Sequence, residues 1–258
     1  SPQLGGTVQT RRAQLRAYDT KTAIEISKAF VQGKIRNQIN VLKYFSKYRK
    51  EKEPLTFQEI EFSIESMQAM LAKLSDLAED HIDKLRGSIM SAEALAAKAY
   101  WKAVGKLIDK NASFEGREHR GTVDPFNSLL NYGYAILLSQ AWSALALAGL
   151  DVFGGFLHVD RPGKPSLVLD FMEEFRPQVV DRVAIAYVTR GRPLDTKDGR
   201  LTEATRKEYA KAIMERLDSK GRFEKEKVRL QAVIYRQARH LATTVRGERK
   251  YIPFVDSW

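Results

Sequence analysis

Apolar residues recur at helical spacing along most of this chain. From Thr20 to Lys50, the residues Ile24, Ala29, Phe30, Val31, Ile35, Ile39, Leu42 and Phe45 mark one face while lysines and arginines fill the gaps, predicting an amphipathic helix with a basic outer side. Pro54 breaks that pattern, and Thr56 opens a second helix expected to run through Ile60, Ile64, Met67 and Leu74 to about Leu85. His81, near its end, reads as a surface residue or a C-terminal cation, and Gly87 as the stop. A third helix is expected from Ser91 to Ile108. Pro125 starts another through Gly149, and no charged residue occurs from Pro125 to Leu150, a length that could span a bilayer. Asn127, Ser128, Asn131, Ser139, Gln140 and Ser143 interrupt it, so a buried central helix is the better reading. Gly154, Gly155, Pro162, Gly163 and Pro165 then impose irregular backbone and put His158 in a loop, after which Ser166 can cap a short helix. Beyond Pro177 the pattern predicts a helix, a charged turn over Arg190–Gly199 that forms at most a short hairpin, a helix capped by Thr202 or Thr205, and a last helix from Phe223 to Val245. The fold class is mainly α, a multi-helix domain around the uncharged helix.

Two of these helices carry carboxylates worth weighing. On a wheel of about 100° per residue, Leu167, Val168, Leu169, Phe171, Met172 and Phe175 share one arc while Asp170, Glu173 and Glu174 share the opposite one. An acidic face opposite an apolar one is ordinarily a solvated surface. Glu93 is different, because it lies on the side of its helix that carries Ala96, Ala97, Tyr100, Val104 and Leu107, whereas Lys98, Lys102 and Lys106 line the far side. A carboxylate turned toward apolar neighbours needs a partner. A metal held jointly with His158 and Glu173, a salt bridge to an arginine, or a bond to Tyr100 would each supply one.

Charge narrows the partner. The chain has 258 residues with 43 Lys and Arg against 32 Asp and Glu, a formal charge of +11 and a pI near 9.7, which points to a polyanion, nucleic acid before an anionic membrane. Arg11, Arg12, Arg16, Lys21, Lys28 and Lys34 begin a basic first fifth that is either a phosphate track or a solvated face. Arg117, His119 and Arg120 make a cationic loop between two buried helices, suited to phosphates. His119 and His240 have no acidic neighbours at ligand spacing and read as DNA-facing or structural. Cysteine is absent, which excludes disulfides, thiolate metal sites and cysteine nucleophiles and is consistent with a reducing cytoplasm. One imidazole with two or three carboxylates and no sulfur suits magnesium or manganese, with zinc still open.

Four ordered segments resemble a known family. These are Glu93-Ala-Leu-Ala-Ala-Lys-Ala-Tyr-Trp101, Asp124-Pro-Phe-Asn-Ser-Leu-Leu-Asn-Tyr-Gly-Tyr134, His158 with the following Ser166-Leu-Val-Leu-Asp-Phe-Met-Glu-Glu-Phe-Arg-Pro177, and Tyr251-Ile-Pro-Phe254. Together they are similar to the CRISPR-associated integrase family Cas-one, with Ala94 and Lys98 standing where glycine and arginine are common. The resemblance implies a DNA integrase/endonuclease of CRISPR adaptation, which inserts short fragments into the repeat array by attack of a 3' hydroxyl on a phosphodiester. It implies Glu93, His158 and Glu173 as ligands of Mg2+ or Mn2+, with Asp170 as an additional acidic position. Lys98, Arg161, Lys164 and Arg176 are candidates for DNA phosphates beside Arg117 and Arg120, and Asn127 matches a polar residue near the family's active site. A homodimer assembled with the small Cas-two protein is the implied complex. Family members also carry a β-rich domain ahead of the helical one, so residues 1–19 read as a segment leading from such a domain and residues 20–258 as the catalytic unit. A transposon integrase and a non-enzymatic helical DNA-binding protein are the alternatives.

Overall fold

The computed structural model describes residues 7–108, 114–117, 124–197 and 199–256. Helices α1 (Thr7–Tyr18), α2 (Lys21–Ser46), α3 (Arg49–Lys52), α4 (Pro54–Asp76) and α5 (Ile82–Leu107) come first. Then follow α6 (Pro125–Leu147), α7 (Ser166–Met172), a π-helical turn (Pro177–Asp181), α8 (Arg182–Thr189), α9 (Glu203–Asp218) and α10 (Leu230–Val245). Two antiparallel hairpins complete the described residues, β1 (Thr196–Lys197) with β2 (Arg200–Leu201) and β3 (Lys220–Phe223) with β4 (Glu226–Arg229). The mainly helical class holds, and the charged turn after Arg190 does form a short hairpin.

Two helices organise the packing. The uncharged α6 lies against α7, α8, α9, α10 and the π-turn, burying Phe126, Leu129, Leu130, Leu137 and Leu145. Across from it, α2 packs on α4, α5 and the π-turn through Ile26, Phe30, Ile35 and Leu42. Its N-terminus is closed by Thr20, whose hydroxyl accepts from Thr22 N. No described helix is long and apolar enough to cross a membrane.

Three expected boundaries are corrected. The second helix stops at Asp76, Leu77 turns extended, and a new helix starts at Ile82, so Gly87 lies inside α5. His81 is the N-cap of that helix, its Nδ1 accepting from Asp83 N at 3.2 Å, and not a C-terminal cation. The apolar rhythm runs on across the break, so periodicity could not show it. Ser166 opens α7 without capping it, because its hydroxyl donates to Val159 O at 3.4 Å. The last helix starts at Leu230, since residues 220–229 form β3 and β4 around Glu224 and Lys225 at φ 48° and 70°. Neither is the glycine or asparagine that normally announces such a turn.

The acidic face of α7 is not solvated either. Asp170, Glu173 and Glu174 are 0%, 5% and 0% exposed, because α7 is enclosed by α2, α6 and the loop that precedes it. Glu174 anchors the C-terminal Tyr251-Ile-Pro-Phe254 segment, accepting from Tyr251 Oη at 2.6 Å and from Phe254 N at 2.8 Å. Burial pushes its carboxyl up from 4.5 to about 8, against the pull of those hydrogen bonds. A raised acid favours folding while it stays protonated, so this contribution is complete below pH 4.5 and is lost as pH rises to about 8. Glu174→Gln keeps the shape and removes the titration. Its stability relative to wild type should climb across that window, by on the order of 2–4 kcal/mol. Denaturant melts from pH 5 to 8.5 with a constant difference between the two proteins would contradict this.

Candidate active site

The loop bearing His158 is held from below by Asp170. The Asp170 carboxylate accepts from Phe156 N (2.7 Å), Leu157 N (2.8 Å), His158 N (2.9 Å) and the His158 ring at Nδ1 (2.6 Å). Backbone can approach so closely because residue 155 is glycine: a Cβ there would sit 2.6 Å from Ser166 Cβ and 3.1 Å from Asp170 Oδ2. Gln14 of α1 holds the upstream part of the loop, donating to Asp151 O and Gly154 O and accepting from Asp151 N. With Nδ1–H tied to a carboxylate, the imidazole presents Nε2 as its free lone pair. Asp170 is thereby committed on both oxygens and acts through His158.

Three elements then converge on one cavity of about 310 Å³, lined by Glu93 from α5, His158 from the loop and Glu173 just past α7. The inward face predicted for α5 is observed, with Ala96, Tyr100, Val104 and Leu107 buried. The cation that meets Glu93 is neither an arginine nor Tyr100 but Lys34 from α2, which also stands 2.7 Å from Glu173 Oε2. Burial weakens the Lys34 charge, yet the two carboxylates outweigh it and leave its pKa above the ordinary lysine value. Burial likewise opposes ionisation of Glu173, but Arg176 and Lys34 win and hold its carboxyl at about 2.

Among the described residues no three His, Asp or Glu side chains form a ready-made ligand cluster. Lys34 stands where such a cluster would close. The donors nevertheless fit a divalent ion: Nε2 of His158 is oriented by Asp170, and Glu173 Oε2 pairs with Lys34 by charge without hydrogen-bond geometry. Lys34 is the one ion-pair partner of Glu93 among the described residues, so a divalent cation that displaced it would meet two carboxylates whose combined charge matches its own.

Cations line the same cavity. Arg176 reaches Glu173 at 3.2 Å and lies 4.7 Å over the Tyr134 ring, with Arg117 at 5.3 Å from the same ring. Tyr134 is fixed in turn by Asp181, which accepts from its hydroxyl at 2.6 Å and from Tyr100 at 3.1 Å. Burial pushes Asp181 up to about 6. Asn127 is fully buried and accepts from Arg117 at 2.8 Å, so it positions that arginine and does not face a ligand itself. Lys164 lines the cavity, and Lys98 lines an adjoining groove with Trp101 and Arg117. Arg161 is exposed outside both. Arg120 and His119 lie outside the described residues. His240 stacks on Phe223 and its Nδ1 pairs with Gln237. Sequence reading missed Lys34 as a partner of Glu93, gave Tyr134 no role beyond its place in a family segment, and missed Gln38 and Asp181 altogether. Only Lys34 carried a signal, as one of many lysines on a basic helix face.

A helical domain that gathers carboxylates, an imidazole and several cations round one cavity is of the class that handles an anionic substrate. The profile described as CRISPR associated protein Cas1 matches residues 1–215. The chain is 36% identical to the CRISPR-associated endonuclease Cas1 1 of Archaeoglobus fulgidus, over 98% of this chain and 77% of that protein. It is 33% identical to the CRISPR-associated endonuclease Cas1 of Korarchaeum cryptofilum, over 97% and 75%. Among solved structures, a casposase bound to integration product superposes with a TM-score of 0.82 at 26% identity, covering 95% of this chain and 67% of that one. A Cas6-RT-Cas1–Cas2 complex shares the fold, with a TM-score of 0.77 at 23% identity over 95% of this chain and 26% of that one. The chain belongs to the Cas1 family.

Proposed function

We propose that this Cas1 chain is a DNA integrase/endonuclease of CRISPR adaptation whose reaction centre is the cavity between α5, α7 and the His158 loop. The observation that carries the reading is that Glu93, His158 and Glu173 line one cavity from three separate segments, with Arg117, Lys164 and Arg176 lining it as well. Family membership and the 26% identical casposase, whose structure holds an integration product, support the same chemistry. In that chemistry the oxygen of an incoming 3' hydroxyl forms a new bond to phosphorus while the bond to a 3' oxygen in the target strand breaks. The released oxygen takes up a proton. One phosphodiester replaces another, so no energy cofactor is required.

Each side chain has a task in this reading. Glu93, His158 and Glu173 would hold Mg2+ or Mn2+, which supplies polarisation of a phosphoryl oxygen and activation of the attacking hydroxyl. Asp170 fixes the His158 tautomer. Tyr134 lies within cation–π distance of both Arg117 and Arg176, which keeps the two guanidinium charges beside the cavity before a phosphate arrives. Lys164 adds a charge to the cavity lining and Lys98 extends the cationic surface along the adjoining groove. A non-enzymatic DNA-binding protein would have no use for two ionisable carboxylates and a pre-oriented imidazole in one cavity. DNA, a second copy of the chain and the small Cas2 protein are the partners we assign. Residues 20–258 form the catalytic unit in this reading, and a reducing cytoplasm suits its lack of cysteine.

The test is strand joining. A labelled duplex with a free 3' hydroxyl, mixed with supercoiled plasmid and Mn2+, should become covalently attached to the plasmid. The same duplex ending in a 3'-deoxy nucleotide should not, and EDTA should stop the reaction. Label joined equally well from the 3'-deoxy end, or in EDTA, would exclude this chemistry.

A further inference from the structure

Between the two carboxylates stands a cation that the chain itself provides. Lys34 extends from α2 to pair with Glu93 and Glu173 at once. One helical turn further on, Gln38 is 1% exposed and lines the same cavity, yet its Oε1 has no hydrogen-bond partner among the described residues. A buried acceptor without a donor is costly and calls for an occupant. Side chains four apart on a helix are surface neighbours, and a lysine carries three donors on a flexible four-carbon stem. Helix α2 therefore offers the Lys34 ammonium two seats, one filled and one vacant.

We propose that Lys34 is a built-in counter-cation that reserves the Glu93–Glu173 pair, and that Gln38 Oε1 receives its ammonium when a divalent ion takes the carboxylates. The proposal rests on the reading of Glu93, His158 and Glu173 as ligands. An ammonium and a divalent ion repel at contact distance, most of all beside a side chain as buried as Glu173, so the two compete for the carboxylate pair. Without Lys34 the metal-free protein would bury two carboxylates with one cation fewer. With it the site is preformed, and the ion must outcompete a tethered ammonium. Affinity for the ion is thereby lowered by the fraction of molecules in which Lys34 holds the carboxylates.

The test is Mn2+ binding to the full chain without DNA, by titration calorimetry and by loss of the free-ion resonance signal, together with melting in EDTA and in saturating Mn2+. Lys34→Met keeps the stem and removes the competitor, so it should bind Mn2+ more tightly by roughly tenfold or more, with a lower melting point in EDTA and a larger rise on metal addition. Gln38→Leu removes the vacant seat and should weaken Mn2+ binding by about threefold or more without lowering the metal-free melting point. The double variant should bind like Lys34→Met, because the seat is useless without its occupant. Lys34→Met binding no more tightly than wild type overturns the proposal. So does Gln38→Leu weakening binding equally in the Lys34→Met background, which would make Gln38 a ligand. If Lys34→Met is unfolded without metal, a Gln38→Leu affinity equal to wild type overturns it alone. Loss of the underlying reading looks different: wild type binds no Mn2+, or binds it equally well after His158→Ala.

Discussion

Glu93→Ala, His158→Ala and Glu173→Ala should each reduce metal-dependent strand joining by roughly 10³-fold or more, and pairs of them should lose little beyond the worst single change. The three residues reach the cavity from α5, the Gly-rich loop and the end of α7, so nothing local forces them together. If they serve one reaction centre, removing any one disables the whole, which is the signature of groups acting as a unit. DNA binding should survive, because the cations Arg117, Lys164 and Arg176 that also line the cavity are separate side chains. Glu173→Ala also strips a partner from both Lys34 and Arg176, so Glu173→Gln is the cleaner companion. Joining assays read beside gel-shift affinities decide the matter. A single alanine variant retaining a tenth of wild-type joining, or losses that multiply in the doubles, would remove that residue from the centre.

Asp170→Ala should be just as inactive for another reason: the loop loses its support. Its carboxylate receives three backbone N–H groups and the His158 ring, and the side chain is fully buried. Truncation strands those donors where water does not replace the acceptor, at about 1–3 kcal/mol each. The expected destabilisation is roughly 3–6 kcal/mol, a large share of a domain's total of about 5–15 kcal/mol. At this chain length that is a fall in melting temperature on the order of 10 °C. Asp170→Asn keeps one oxygen for the backbone but turns an N–H toward a donor, so it should be intermediate in stability and still unable to fix the histidine tautomer. Calorimetry on both variants separates this from a ligand role. Asp170→Ala melting within about 2 °C of wild type would show that the four contacts do not hold the loop.

The helices of this protein and their inward faces were legible from sequence because burial in a helix follows a period of 3.6, which one chain displays without reference to any other. Glu93 was recognisable as an inward carboxylate for that reason, and Ala96, Tyr100, Val104 and Leu107 are indeed buried beside it. Gly154, Gly155 and the prolines marked the His158 loop, because such residues interrupt a helix, and Gly155 proves to sit where a Cβ would meet Ser166. The ordered motifs carried the family. Tertiary structure alone decided what each carboxylate meets. Asp170, Glu173 and Glu174 look alike on a helical wheel, yet one grips a loop, one faces Lys34 and Arg176, and one anchors the C-terminus. Those partners lie between 3 and 139 residues away in sequence for Glu173, Arg176 and Lys34. Periodicity records which side of a helix is buried but not which neighbour covers it. That neighbour is fixed by the packing of α2 and the C-terminal segment against α7, and with it the opposite pKa shifts of Glu173 and Glu174 and the place of Lys34 between two of the acids.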